Sequence, residues 1–475
     1  MTQPKAHLIG ICGAGMSAVA WLLQQDGYDV SGSDAGFYPP VSDYIARLGI
    51  PCQEGYRTTN IPENVDLIVI GKNAKLVPET NDEVRFALEK KSDRVKSFPE
   101  VLASLSEKKS RVVVAGSYGK STLTSIITWC LVHVGQDPGY FIGAIPKNLE
   151  NSSHLGAGKH FIFEGDEYPA ANWDDRAKFL HYDPETVILT SACHDHVNIY
   201  PTLESYHAPF LALLDGLQKK SGQLIACIDE KNSADLFAGF SGNKVSYGLE
   251  DGADWSAKKI QPGSITTFEL MQGDKSLGTV QTTLLGRHNV QNIVGAAAWL
   301  IGKKILTFSE FSSAISAFTG LDRRLDLKSE KTRLPIYEGF GSSYEKARAA
   351  ITAVAEHYAG RDLVVLFEPH TFSWRNRARL DQYRDVFNGA QRVYLYQPPT
   401  QGADTHDQLT LSEILVETAA HHPDVRTFDS SNWREMIANA DPARQVFLIL
   451  SSGAFDGLLQ KIVLQAEHDI PAALL

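Results

Sequence analysis

Ala115-Gly116-Ser117-Tyr118-Gly119-Lys120-Ser121-Thr122 joins the apolar stretch Val112–Ala115 to a helical pattern that runs from Ser121 to about Val134 and stops at Gly135. In a strand–glycine loop–helix unit the loop's backbone N–H groups and the helix N-terminus together cradle phosphate oxygens. A lysine at this place suits the β- and γ-phosphates, and the following hydroxyl suits Mg²⁺. Gly116, Ser117, Gly119, Lys120, Ser121 and Thr122 are therefore the expected ATP-binding stretch. The strict spacing would put a glycine five residues before Gly119, where Val114 stands. The rival is a structural turn that happens to read Gly-Lys-Ser, and the flanking strand and helix weigh against it.

Outward from this loop the same order of elements recurs. On the N-terminal side, the short strand His7–Ile11 runs into Gly10-Ile11-Cys12-Gly13-Ala14-Gly15-Met16-Ser17. A helix follows from Ser17 to Gln25, ended by Gly27. A strand around Asp29–Ser31 leads to Gly32-Ser33-Asp34, and another, Asp66–Ile70, ends at Gly71. The polar stretch Ser104–Arg111 reads as a linker. Beyond the central loop, His160–Phe163 and Val187–Thr190 read as buried strands. A third restart near Lys328 brings Leu363–Phe367, Arg392–Tyr396 and Val446–Leu450. Strands alternating with helices imply an α/β fold of mostly parallel sheets, with ligands beyond the carboxyl ends of the strands. Three such units are expected, at 1–106, 107–327 and 328–475.

A length of 475 residues suits about three domains. With 43% hydrophobic and 21% charged residues the chain has the composition of an ordinary globular protein. No apolar run is long enough to span a bilayer, and Met1-Thr2-Gln3-Pro4-Lys5 runs into a strand without a leader-like stretch, so a cytoplasmic location is expected. Cys12, Cys52, Cys130, Cys193 and Cys227 are odd in number and scattered, which argues against a disulfide framework and a zinc ribbon. A formal charge of −11 argues against a broad nucleic-acid surface. A phosphorylated ligand must then be held by local devices against the overall field.

Gly-Ser-Tyr-Gly-Lys-Ser-Thr resembles the Gly-Thr-His-Gly-Lys-Thr-Thr loop of the Mur ligases, and other motifs follow that family in order. Gly10–Ser17, Gly32-Ser33-Asp34 and Gly71-Lys72-Asn73-Ala74 are similar to its UDP-sugar loops, so the resemblance implies that Gly13, Ala14, Gly15, Met16, Ser17, Ser33, Asp34 and Asn73 hold the UDP sugar. Phe163-Glu164-Gly165-Asp166-Glu167-Tyr168 resembles the acidic motif whose first glutamate, here Glu164, binds Mg²⁺. In Cys193-His194-Asp195-His196-Val197-Asn198, the Asp195-His196 pair matches the family's Asp-His, which implies His196 as a further metal ligand. A zinc site using His194 and His196 is the rival reading, without other Cys/His clusters to complete it. Gly286-Arg287-His288-Asn289-Val290-Gln291-Asn292 resembles the adenine-binding motif, implying His288, Asn289 and Asn292. Phe318–Arg324 resembles the arginine motif, implying that Arg324 reaches phosphate.

The resemblance implies three domains: a Rossmann-like UDP-sugar domain, a P-loop ATPase domain and a Rossmann-like domain that brings the amine. It implies ATP and Mg²⁺ as cofactors, an acyl-phosphate intermediate, and Lys120, Glu164 and His196 as catalytic residues, with Ser121, Glu164 and His196 on the metal. Two departures stand out. Tyr118 replaces the phosphate-loop histidine. Tyr337–Tyr344 falls where the family has Asp-Asp-Tyr/Phe-x-His-His-Pro, with Gly339 at the second aspartate, Ser342 and Ser343 at the histidines, and Glu338 as the remaining carboxylate. Phe163–Tyr168, Asp175–Phe179 and Tyr38-Pro39-Pro40 look most like the branch that joins L-Ala-γ-D-Glu-meso-diaminopimelate to UDP-N-acetylmuramate. Glu368–Ser373 is compatible with that branch and with the L-alanine-adding one. Arg375 and Arg377 are candidate cations for a peptide acceptor, or else solvated helix residues. A homologue that binds the UDP sugar without turnover is the non-enzymatic alternative.

Overall fold

The computed structural model describes residues 3–38, 41–197, 199–263, 265–397, 407–453 and 455–472. Pro39, Pro40 and Asn198, which belong to the quoted motifs, lie outside the described residues.

The first sheet contains β1 (Lys5–Ile9), β2 (Asp29–Asp34), β3 (Cys52–Glu54), β4 (Leu67–Ile70) and β5 (Val95–Ser97). They pair in parallel in the order β3-β2-β1-β4-β5. Helices α1 (Ala14–Gln25), α2 (Val41–Arg47) and α3 (Asp82–Lys90) connect them, and α4 (Phe98–Leu105) leads on to the next sheet. β4 reads Leu-Ile-Val-Ile and is buried at every position, as expected for a parallel strand covered on both faces. Asn81 starts α3 by accepting from Val84 N. Ser97 and Glu100 form a capping box at α4, with Pro99 in its first turn. The stretch read as a linker shrinks to four residues, since α4 runs to Leu105 and the next strand begins at Ser110.

The second sheet has ten strands: β6 (Ser110–Ala115), β7 (Gly139–Phe141), β8 (Ser153–His154), β9 (His160–Gly165), β12 (Thr186–Leu189), β13 (Gln223–Cys227), β14 (Asn243–Tyr247), β15 (Trp255–Gln261), β16 (Thr266–Gln272) and β17 (Lys275–Thr282). A separate hairpin holds β10 (Pro169–Ala171) and β11 (Asp174–Ala177). The order is β17-β16-β15-β14-β13-β12-β6-β9-β7-β8, with β6 between β12 and β9. Helices α5 (Lys120–His133), α6 (Leu203–Lys219), α7 (Lys231–Gly239), α8 (Arg287–Leu300) and α9 (Phe308–Ser316) belong to this part. Val113, Val114, Phe161, Phe163, Val187 and Ile188 are wholly buried, each such side chain contributing about 1.5–3 kcal/mol. The first two sheets share this core, where the Phe98 and Phe141 ring centroids lie 6.0 Å apart.

The third sheet runs β18-β19-β23-β20-β21-β22, from β18 (Arg324–Leu327), β19 (Ile336–Gly339), β20 (Asp362–Phe367), β21 (Arg392–Leu395), β22 (Val425–Thr427) and β23 (Gln445–Leu450). Only β18 is antiparallel to its neighbour. Helices α10 (Tyr344–His357), α11 (Phe372–Arg375), α12 (Leu411–Ala419) and α13 (Trp433–Ala438) connect its strands, and α14 (Leu458–Asp469) follows the last of them. Backbone contacts gather the chain into two compact units, 1–258 with 270–278 and 291–318, and 259–269 with 279–290 and 319–475. Among the described residues no helix is long and apolar enough to cross a membrane.

Candidate active site

The sheet order decides which loops meet. Because β6 lies between β12 and β9, the loop after β6 is flanked by the loops that follow those two strands. The phosphate-type loop needs its glycines for conformation and for room. Gly116 and Gly119 have φ of 138° and 84°, in the region that residues with a Cβ avoid. A Cβ on Gly116 would fall 2.3 Å from Thr190 Oγ1, and one on Gly119 would fall 2.9 Å from Asn292 Oδ1. Gly119 caps α5, whose first residue is Lys120. Ser117 turns inward: its hydroxyl donates to Cys193 O at 2.5 Å and lies 2.8 Å from Tyr206 OH. Tyr118 N donates to Ser191 Oγ at 3.1 Å.

Lys120 Nζ donates to Gly116 O at 2.5 Å and to both Glu167 oxygens at 3.2 and 2.8 Å. Glu167 is wholly buried, and His196 Nε2 sits 3.0 Å from its Oε1. His196 Nδ1 lies 2.9 Å from Tyr168 OH. Burial works against the Lys120 ammonium, but Glu167, Asp166 and Glu164 outweigh it and hold its pKa above the ordinary value. Burial likewise opposes the Glu167 carboxylate, yet Lys120 and His196 hold it below the usual range. Asp166 is also held low, against burial, by Lys178 at 2.5 Å and by Lys120. His196 has φ of +53°, a conformation that persists only where the surroundings over-determine it. His194 Nε2 bonds Tyr200 O at 2.6 Å, so the two histidines of this stretch have different partners.

Glu164, at the end of β9, receives Ser121 Oγ at 2.8 Å on one oxygen and Gly143 N at 2.6 Å on the other. A hydroxyl beside a half-buried carboxylate is a hard oxygen pair that fits Mg²⁺ with phosphate and water as the remaining ligands. His196 has both ring nitrogens engaged, so ligation through it requires one of those bonds to be given up. The family resemblance picks out Glu164 and leaves Glu167 and Tyr168 of the same motif without a role. The signal was present in the second carboxylate of Glu164-Gly165-Asp166-Glu167, but its partners are set by folding.

In the first sheet, Gly13 precedes α1, and Ala14, Gly15, Met16 and Ser17 form its first turn at the carboxyl edge of β1. Asp34 closes the glycine loop by accepting Cys12 N at 2.8 Å, and also holds Ala35 N and Tyr56 OH. Ser33 is wholly buried and its hydroxyl donates to Glu83 Oε1 at 2.9 Å, the atom that also meets His7 Nε2 at 2.8 Å. Its hydroxyl proton is thus committed inside the fold. Asn73 Oδ1 accepts Lys75 N at 2.8 Å. Asn172, in the β10–β11 turn, donates from Nδ2 to Asn73 O at 3.0 Å and Leu76 O at 2.7 Å. No local pattern announces this clamp, whose ends are 99 residues apart.

At the start of α8, Asn289 is buried and donates to Leu285 O at 2.7 Å, while burial pushes the His288 imidazole down to about 4. In the second unit, Arg324 lies over the Phe340 ring at 4.5 Å. Arg323 donates to Glu338 Oε1 at 2.8 Å and to Gly453 O at 2.5 Å, and Lys328 meets Glu338 Oε2 at 2.9 Å. Glu338, the carboxylate left in the altered motif, is therefore engaged by two cations. Arg375 is buried and donates to Gln408 Oε1 at 3.0 Å, and Arg377 pairs with Asp407 at 2.7 Å and with Glu413. Arg375 is thus inside the fold, whereas Arg377 is exposed at the first position of a 3₁₀ helix.

Residues 114–300 match the Mur ligase middle domain, and residues 5–110 match the description "Mur ligase family, catalytic domain". The UDP-N-acetylmuramate–L-alanyl-γ-D-glutamyl-meso-2,6-diaminoheptandioate ligase of Escherichia coli is 31% identical over 466 residues, 97% of each chain. The chain belongs to the Mur ligase family. This Mur ligase has the family's three-domain α/β architecture, and it is an ATP-dependent amide-forming ligase as its relatives are. In fold it is similar to a murein peptide ligase from Psychrobacter arcticus (TM-score 0.68, 24% identity, 98% of this chain and 99% of that one). It is also similar to the UDP-N-acetylmuramate–alanine ligase of Thermotoga maritima (TM-score 0.76, 19% identity, the same coverage).

Proposed function

We propose that this Mur ligase joins the tripeptide L-Ala-γ-D-Glu-meso-diaminopimelate to UDP-N-acetylmuramate in peptidoglycan recycling, in the cytoplasm where ATP is supplied. The observation that carries this reading is the end-to-end match, at 31% identity, to a ligase named for that tripeptide. The Lys120–Glu167–His196 cluster beside Ser121 and Glu164 favours an enzyme over a silent binder, since binding the UDP sugar alone needs none of these groups. The domain bounds 1–106, 107–327 and 328–475 are part of the proposal, with UDP sugar, ATP and amine assigned to them in that order.

In the proposed reaction the lactyl carboxylate oxygen attacks the γ-phosphorus of ATP, giving an acyl phosphate and ADP. The acceptor's amine nitrogen then attacks the acyl carbon, the C–O bond to phosphate breaks, and the amine loses a proton as the amide forms. Gly116–Thr122 would cradle the triphosphate, and Lys120 would offset charge on the β- and γ-phosphates. Mg²⁺, when bound, would supply charge neutralisation between the phosphates and the carboxylate, held by Ser121 and Glu164, with His196 as a further ligand. His288, Asn289 and Asn292 are assigned to adenine and Arg324 to phosphate. Gly13–Ser17, Ser33, Asp34 and Asn73 are assigned to the UDP sugar, Ser33 through its place in the strand, because its hydroxyl is taken.

Phosphate release with ATP, Mg²⁺ and UDP-N-acetylmuramate tests the reading. The tripeptide should exceed free L-alanine in kcat/KM by at least about 100-fold, since a site built for polar groups rejects an acceptor lacking them. Faster turnover of L-alanine would assign the chain to the alanine-adding branch. Turnover of neither, with the UDP sugar still bound, would mark a non-catalytic homologue.

Asn172 offers a second test, at the sugar end. Asn172→Ala removes the two hydrogen bonds that tie the β10–β11 turn to the Asn73–Leu76 loop. KM for UDP-N-acetylmuramate should rise about 3- to 10-fold while kcat stays within about 2-fold, the pattern of lost ground-state binding. An unchanged KM would remove Asn172 from the sugar site, and tight NAD binding with no UDP-sugar binding would overturn the assignment of the whole domain.

A further inference from the structure

Glu167 is the one wholly buried carboxylate of the acidic motif, and its partners come from the loop after β6 and from the segment beyond β6 on its other side. Lys120 follows β6, Glu167 follows β9 and His196 precedes α6 in the segment after β12. The Glu167 carbonyl is itself held, accepting Tyr200 OH at 2.5 Å. A buried carboxylate is costly unless paired and hydrogen-bonded, and here each of its oxygens meets Lys120 while one also meets the His196 ring. Glu164, three residues earlier, is directed to Ser121 and Gly143 instead. The two glutamates therefore do different work.

We propose that Glu167 is the positioning residue of this active site, one carboxylate that holds the Lys120 ammonium over the phosphate loop and fixes the His196 ring by its Nε2 proton. The inference rests on the functional reading above and extends it to a residue that the sequence motif did not single out. A carboxylate can only accept, so the His196 nitrogen facing it must carry the proton. Nδ1 is then the ring's lone-pair nitrogen, and Tyr168 OH donates to it. A histidine held this way has a fixed tautomer and a fixed plane, as in sites where an outer carboxylate orients a ligating imidazole. The left-handed backbone of His196 is held on its carbonyl side, where Ile199 N and Tyr200 N both donate to the His196 oxygen at 2.8 and 2.9 Å. Lys120 gains a defined place near the loop and a counter-charge that does not compete for the Ser121–Glu164 edge.

The test uses the full-length enzyme and Glu167→Gln, which keeps the shape but loses the charge and one acceptor. kcat should fall between about 10- and 100-fold, with KM for UDP-N-acetylmuramate unchanged within about 3-fold. The ring-nitrogen signals of His196 in histidine-labelled protein, assigned by their loss in His196→Asn, give a readout independent of turnover. The parent should show the Nε2–H tautomer at a pH where the ring is neutral, and Glu167→Gln should lose that preference. If Glu167→Gln does not fold, Glu167→Asp replaces it: the charge stays, but the shorter arm cannot span Lys120 and His196, and the same two changes are expected. A retained tautomer with kcat within about 3-fold of the parent would overturn the proposal. A parent that releases no phosphate with either acceptor would remove the functional reading, while the tautomer measurement would still decide the positioning role.

Discussion

Lys120→Ala should lose ligation by about 1000-fold or more in kcat, because the ammonium is proposed to act mainly on charge that builds up on the transferring phosphoryl group. The structure adds a second consequence. Glu167 is wholly buried and would keep His196 but lose its ammonium partner. Breaking a buried pair by removing one member costs up to roughly 3–5 kcal/mol, so thermal stability should fall along with activity. Glu167 is held below its ordinary pKa of 4.5 by Lys120 and His196 against the cost of burial. Its contribution to stability is therefore present above about pH 4.5 and is lost as the pH falls through the lower folded value. The Tm difference between parent and Lys120→Ala should be full at neutral pH and shrink below about pH 4.5. Near-parental turnover would remove Lys120 from the reaction, and a Tm difference independent of pH would remove the ion pair from the stability argument.

Glu164→Ala should be the other severe substitution. It removes the carboxylate that receives Ser121 Oγ and Gly143 N, and with it the hard oxygen proposed to hold Mg²⁺. The concentration of Mg²⁺ giving half-maximal rate should rise at least about 10-fold and kcat should fall about 100-fold, since charge stabilisation by the ion is worth several kcal/mol. Glu164→Gln separates charge from packing: it can keep the bond to Ser121 through its carbonyl and should still show the Mg²⁺ effect. A Mg²⁺ titration that matches the parent would place the metal elsewhere.

Much of this was legible along the chain. Val112–Ala115, Leu363–Phe367 and Val446–Leu450 announce buried parallel strands because continuous apolar runs have no other use at that length between helices. The structure extends those three strands to Ser110–Ala115, Asp362–Phe367 and Gln445–Leu450. Gly119-Lys120-Ser121 announces its loop because a strand, a glycine with left-handed φ and a helix start are all local. The short strands Cys52–Glu54, Val95–Ser97 and Ser153–His154 carried no such signal, since two or three residues acquire strand geometry only from the neighbour that pairs with them.

Residue types and their order thus determined the α/β class and the strand–glycine loop–helix unit from Ser110 to His133, because each is read from residues close together in sequence. Tertiary structure alone decided which side chains meet. Lys120 and Glu167 are 47 residues apart in sequence and Tyr168 and His196 are 28 apart. They come together because β6 pairs with β9 on one side and β12 on the other. The same holds for Asn172 on the Asn73 loop and for Arg377 with Glu413, whose separations of 99 and 36 residues leave no periodic trace. Hydrogen bonds and ion pairs between distant segments depend on strand order and register, and those are fixed by burial of the whole sheet rather than by any one motif.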